Sequence, residues 1–265
     1  MSDVYLHVGP VKTGSTYLQD LLWRNRDDLA RQGYQHPGEH DNEMWLATND
    51  VQDQAFIHFE MPEAAGVWAK VCERVLGFTG PSVISHEVLG MSTEDHVAKI
   101  VQSLTPARLH VVVMARGLAP MLPSLWQEKI KMVDPDINWP DFLAAERKTG
   151  AQVTDASLIV HRWLAHVPPA QVHVVTVPPR GADPAVLLDR FAAALGIDPS
   201  AWDTDGGAAN RSLDRVQVEL LRRLGYEIQE PGDLPADGAY VVRHAQGRQV
   251  VFLGDLVDRD DPACS

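Results

Sequence analysis

A chain of 265 residues, 45% of them apolar, is long enough to bury a large core in one α/β domain spanning residues 1–265, and no repeat or low-complexity segment interrupts it. Its formal net charge of −13 argues against nucleic acid or an anionic membrane surface as partner, since both reward clustered lysine and arginine, and no apolar run approaches membrane-spanning length. Two cysteines, Cys72 and Cys264, are too few for a disulfide framework and fit a reducing cytoplasm. The N-terminus opens on a strand rather than a charged leader, so no secretory signal is expected.

The first predicted element is a short apolar strand, Val4 to Val8. Gly9-Pro10-Val11-Lys12-Thr13-Gly14-Ser15-Thr16 follows, and then an amphipathic helix with Tyr17, Leu18, Leu21, Leu22 and Leu29 on one face and Gly33 as its cap. A polar, His-rich connection covers 33 to 62, and a helix runs from about Ala64 to Leu76. The strand Ser82 to Ser85 ends in His86-Glu87, and Ser92 with Asp95 predicts the start of a helix reaching about Leu104. Leu109 to Met114 is a continuous apolar run, as expected of a strand buried on both faces, and it ends in Ala115-Arg116. Pro120 and Pro123 suit the first turn of a helix from 120 to 132, which puts Ser124 near a helix N-terminus; the Asp134-Pro135 turn ends that helix.

Further helices are predicted at 139 to 147 and 155 to 166. Val172 to Val177 is a strand closed by Pro178-Pro179, and Asp183 and Pro184 open a helix with Leu187, Leu188, Phe191 and Leu195 on one face and Gly196 at its end. Asn210-Arg211-Ser212 precedes a helix whose apolar face is Leu213, Val216, Leu220 and Leu224. Two last apolar runs, Ala239 to Val242 and Val250 to Leu253, flank a polar segment around Gly247 in the manner of a hairpin. The alternation of strands and helices predicts an α/β fold with a parallel sheet flanked by helices on both faces. Ligands are then expected at the carboxyl ends of the strands.

The segment from Gly9 to Thr16 reads as a phosphate-binding loop. Gly9 and Gly14 allow a tight turn and a close backbone approach, Lys12 adds a charge, and the first N–H groups of the following helix form an anion site. A Walker A loop places lysine directly after the second glycine, whereas here Ser15 holds that position and the lysine sits inside the loop, which disfavours a magnesium–nucleotide complex. A P-loop kinase for a small metabolite would also need magnesium ligands that the sequence does not offer. His36 with His40, or His161 with His166, lacks the Cys or carboxylate partners of a convincing metal site, so no metal is expected.

Leu6-His7-Val8-Gly9 followed by Lys12-Thr13-Gly14-Ser15-Thr16 resembles the 5′-phosphosulfate loop of the sulfotransferases, whose donor is 3′-phosphoadenosine 5′-phosphosulfate (PAPS) and whose product is adenosine 3′,5′-bisphosphate (PAP). The resemblance implies a second site for the 3′-phosphate, an arginine at a strand end and a serine eight residues later. Arg116 and Ser124 keep that spacing. It also implies a proton-accepting residue at the end of the second strand, where Glu87 aligns with the catalytic position and His86 is its neighbour; adjacent strand residues face opposite sides, so one of the two addresses the site.

Asn210, Arg211 and Ser212 resemble an Asn-x-Ser segment that helps enclose the donor in bacterial and glycan sulfotransferases, while Ser212 equally suits a plain helix N-cap. The Arg-x-x-Gly-x-x-Gly segment of the animal cytosolic enzymes is absent, with Gly247-Arg248 at most a remnant. Trp45 and Trp126 are candidate aromatic walls for adenine or acceptor; Trp23, Trp68 and Trp163, at helical positions, read as core. The resemblance therefore implies a cytoplasmic, bacterial-type sulfotransferase, using PAPS without a metal, acting on a hydroxyl or amine of a small-molecule, sugar or lipid acceptor. The alternative readings are the small-metabolite kinase and a non-catalytic domain that binds adenosine 3′,5′-bisphosphate.

Overall fold

The computed structural model describes residues 2–55, 61–132, 134, 136–149, 154–179, 181–205, 226–228, 240–244 and 249–252. In chain order the elements are β1 (Asp3–His7), α1 (Ser15–Arg24), α2 (Arg26–Arg31), α3 (Glu43–Val51), α4 (Val67–Gly77), β2 (Ser82–Ser85), α5 (Glu94–Ser103), β3 (Arg108–Ala115), α6 (Leu118–Met132), α7 (Trp139–Thr149), α8 (Ala156–Leu164), β4 (Val172–Thr176), α9 (Ala185–Leu195), β5 (Tyr226–Ile228), β6 (Tyr240–His244) and β7 (Gln249–Phe252). The chain groups into two compact units, Met1–Met121 with Thr149–Asn210, and Leu122–Lys148 with Arg211–Ser265.

In the first unit, β1 to β4 form a parallel sheet in the order β2-β1-β3-β4. Strand alternation divides its side chains between two cores. Val4, Leu6, Ile84, Leu109, Val111 and Val113 meet α3, α4, α5 and α8 on one face; Val83, Val112, Met114 and Val175 meet α1, α2 and α9 on the other. Val111 to Met114 are buried throughout, which is why the run in β3 is continuous rather than alternating. Because β1 is flanked by β2 on one side and β3 on the other, the chain steps from β1 to β2 in one direction and then crosses back past β1 to β3 in the other. Such a reversal opens a crevice at the carboxyl ends of the strands.

Several element boundaries differ from expectation for identifiable reasons. The first helix does not run unbroken to Leu29: it turns at Asn25, whose buried side-chain amide donates to the Leu21 and Asp203 carbonyls and accepts from the Asp203 N–H at 2.7 Å. The cap of α5 is Thr93 rather than Ser92, in a reciprocal capping box with His96. α6 begins at Leu118, so Pro123 lies inside it and Ser124, its seventh residue, is beyond the first turn rather than at an N-terminus.

In the second unit, Trp126, Ile130 and Phe142 pack α6 against α7, and Trp126 Nε1 donates to the Ile137 carbonyl at 2.9 Å. Trp126 is fully buried there and has no free face to serve as a ligand wall. The two C-terminal apolar runs do form an antiparallel pair, β6 with β7, and β5 extends it to three strands.

Candidate functional site

The carboxyl ends of β1, β2 and β3 carry, in turn, the glycine-lysine loop, His86-Glu87 and Arg116. β1 stays bonded to its neighbours as it enters the loop, with the Val8 N–H on the Val112 carbonyl at 3.0 Å and the Met114 N–H on the Gly9 carbonyl at 2.7 Å. The loop then passes through left-handed backbone at Gly9 (φ 84°), Lys12 (φ 61°) and Gly14 (φ 89°). A Cβ on Gly9 would lie 2.5 Å from the Glu87 carbonyl oxygen, so glycine is needed there for close backbone approach as well as for its φ. Lys12 has a Cβ and adopts the left-handed region nonetheless, a local strain on the order of 1 to 2 kcal/mol.

Inside the loop the buried Thr13 hydroxyl donates to the Pro10 carbonyl at 2.6 Å, which ties the turn together. Ser15 is buried and Thr16 exposed. The first helical bond of α1 runs from the Leu18 N–H to the Gly14 carbonyl, so the amides of Ser15, Thr16 and Tyr17 have no carbonyl within the helix to meet. Gly14, as N-cap, has no side chain to occupy them. Arg116, at the end of β3, donates from Nη1 to the Lys12 carbonyl. Two cationic side chains and a helix N-terminus thus converge on one loop of an acidic protein, an arrangement that can hold an anion.

The β2 side of the site is built on buried polar contacts. Ser85 Oγ lies 2.8 Å from His7 Nδ1, and the His86 N–H donates to the His7 carbonyl at 3.1 Å, carrying the β1–β2 pairing one step past the strands. A 3-10 turn, Glu87–Met91, follows; His86 caps it by accepting the Val88 N–H on Nδ1 at 3.3 Å. That bond assigns the ring proton of neutral His86 to Nε2. Burial pushes the pKa of His86 below the usual imidazole value against the pull of Glu87, so the ring is neutral at physiological pH.

Glu87 Oε2 accepts from Gln19 Nε2 at 2.6 Å and lies 4.0 Å from His86 Nδ1. Burial alone would raise its pKa, but His86, the Gln19 amide and its own backbone N–H outweigh burial and hold the carboxyl below its ordinary range. The side chain remains 20% accessible. Trp45, on α3, lies beside His86 with ring centroids 5.3 Å apart, so an aromatic face borders the two titratable groups.

Of the residues predicted from sequence, Gly9, Lys12, Thr13, Gly14, Ser15, Thr16, His86, Glu87 and Arg116 occupy this one edge of the sheet. Ser124 belongs to the second unit, and Asn210, Arg211 and Ser212 lie outside the described residues. Glu39, in the first connecting segment, meets Arg74 at 3.5 Å. Trp68 and Trp163 are buried as expected, whereas Trp23 is half-buried beneath the Arg26 guanidinium, 4.4 Å from its ring centroid. Gln19 was not apparent from the sequence: as a polar residue in an amphipathic helix, its only signal was proximity to the loop, and its partner lies 68 positions away.

Fold and site define an α/β protein with a four-stranded parallel sheet and a glycine-lysine loop at the carboxyl edge of that sheet. No family model and no curated protein sequence matches the chain. Among solved structures it is similar to a sulfotransferase from Alicyclobacillus acidocaldarius, at 14% identity and a TM-score of 0.49 over 78% of this chain and 86% of that one. It is also similar to the sulfotransferase domain from the curacin biosynthetic pathway, at 13% identity and a TM-score of 0.42 over 88% of this chain and 93% of that one. Likeness at these values carries no functional assignment, which has to rest on the site.

Proposed function

We propose that the protein is a sulfotransferase that moves a sulfuryl group from 3′-phosphoadenosine 5′-phosphosulfate to a hydroxyl or amine of a small-molecule, sugar or lipid acceptor. The observation that carries this reading is the loop: its lysine lies between two left-handed glycines instead of after them, and Arg116 from the neighbouring strand reaches its backbone. The fit to a phosphosulfate is chemical. Helix amides with no carbonyl to meet within α1, Lys12 and Arg116 supply positive potential, and glycine at position 9 lets the loop approach the Glu87 carbonyl, where a Cβ would lie 2.5 Å from its oxygen.

The donor supplies a sulfuryl group already activated by its anhydride link to phosphate. Lys12 and the Gly14 to Thr16 amides stabilise the charge that builds on the departing phosphate, the role in which preorganised donors contribute most. Glu87 takes the proton that the acceptor loses as its new bond to sulfur forms. Glu87 is favoured over His86 on proton inventory: ionised Glu87 has an oxygen not used by Gln19, whereas His86 has its lone pair on the Val88 amide and its proton on the other nitrogen. Trp45 suits a wall against which an acceptor ring can rest.

Melting curves with candidate ligands test the reading. Adenosine 3′,5′-bisphosphate is expected to raise the melting temperature without added metal, by linkage of binding to folding, and ATP with magnesium to raise it far less. Equal or greater stabilisation by ATP with magnesium would move the protein to the kinase class. Stabilisation by the bisphosphate without turnover over a broad acceptor panel would make it a binding domain.

A further inference from the structure

We infer that Gln19 is a positioning residue for Glu87, holding one carboxylate oxygen from the same helix whose first turn forms the anion site. The reason is geometric. Gln19 is the fifth residue of α1, and its amide lies 2.6 Å from Glu87 Oε2. Gly14 to Tyr17, at the beginning of that helix, present the amides to the loop. One rigid element therefore sets the anion site and the carboxylate together, and Glu87 is clamped from two directions: by Gln19 at its side chain and by the close approach of Gly9 at its carbonyl.

A donor on Oε2 leaves Oε1 for a ligand proton and fixes the rotation of the carboxylate plane. It also favours the ionised form against the burial that opposes it. The titratable groups acting on Glu87 are His86, whose Nδ1 lies 4.0 Å from Oε2, and His7 on β1; Gln19 adds a direct hydrogen bond to that oxygen. The kinetic part of this inference rests on Glu87 being the base; the titration part does not.

The experiment follows the Glu87 carboxyl by carbon NMR with labelled glutamate, assigned by its loss in Glu87→Gln, beside the pH dependence of kcat. In Gln19→Leu, and in the nearly isosteric Gln19→Met, the Glu87 titration should move up by about one to two pH units, the scale of losing a hydrogen bond to a charged group. The acidic limb of kcat should move with it, while affinity for adenosine 3′,5′-bisphosphate stays within about twofold. Gln19→Lys, which restores an N–H donor, should bring the limb back down. An unmoved Glu87 titration in both apolar variants would overturn the inference. A shifted titration beside an unmoved rate profile would overturn Glu87 as base and leave the Gln19–Glu87 link standing.

Discussion

Acidification should destabilise this protein well above the range where carboxylates titrate, and His7 allows the size of the effect to be worked out. Its ring is 1% exposed, Nδ1 lies 2.8 Å from Ser85 Oγ, and Nε2 has no hydrogen-bond partner among the described residues. Burial pushes it down to about 4, with the Glu87 carboxylate pulling the other way and His86 adding a smaller push down. In the unfolded chain the same ring titrates near 6.5. The folded value is the lower one, so protons prefer the unfolded state, and stability falls as the pH drops through about 6.5 and stops falling once both states are protonated, below about 4.

Between about pH 7.5 and pH 5 the loss from His7 alone is about 2 kcal/mol, growing to about 3 kcal/mol below pH 4. Asp3, Glu43 and Glu87 are held below their usual values and stay ionised across the upper window, so they add little there. His36, also held at about 4 by burial, and His86 and His110, lowered by burial, make the total for the whole protein larger. The assay is urea unfolding at the two pH values, read by tryptophan fluorescence. His7→Asn retains a donor on the Ser85 side and should cut the acid-induced loss by about 2 kcal/mol, whatever its own cost at neutral pH. Equal acid-induced losses in wild type and variant would refute the argument, as would an NMR titration placing folded His7 near 6.5.

Two further perturbations probe the loop. Gly9→Ala must place a methyl 2.5 Å from the Glu87 carbonyl at φ 84°, so it should lower stability by about 2 kcal/mol or more and displace Glu87; an unchanged melting temperature and turnover would show that the loop is not held this tightly. Lys12→Ala should slow turnover by roughly a hundredfold or more, the scale of losing one preorganised donor, measured as kcat with saturating donor. Arg116→Ala should instead weaken donor binding by about 1.5 to 3 kcal/mol, with less effect on a donor lacking the 3′-phosphate. Equal weakening of both donors would mean that Arg116 acts by bracing the Lys12 carbonyl and that the 3′-phosphate is held elsewhere.

Much of this site could be read from local sequence because its parts are local. The glycines at 9 and 14, the lysine between them and the helix after them each follow from what a short segment permits: positive φ without a Cβ, charge inside a turn, and free amides where a helix begins. The continuous apolar run of β3 gave the two-sided burial of a parallel strand in the same way, and with it the position of Arg116 at a strand end. Local pattern also misplaced the start of α6, since two prolines fit a first turn whether or not the helix has already begun, and it missed the turn at Asn25 because the Asp203 backbone that engages it lies far along the chain.

What only the tertiary structure decided is which side chains meet. Strand order places β2 and β3 on either side of β1, and that ordering brings the Glu87 turn against Gly9 and Arg116 onto the Lys12 carbonyl. It also buries His7 with one nitrogen that meets no partner among the described residues, and it gives Glu87 its Gln19 partner. A sequence fixes the conformational freedom and chemistry of each residue; the pKa of a buried ring or carboxylate depends on the desolvation and close charges that exist only after distant segments have packed.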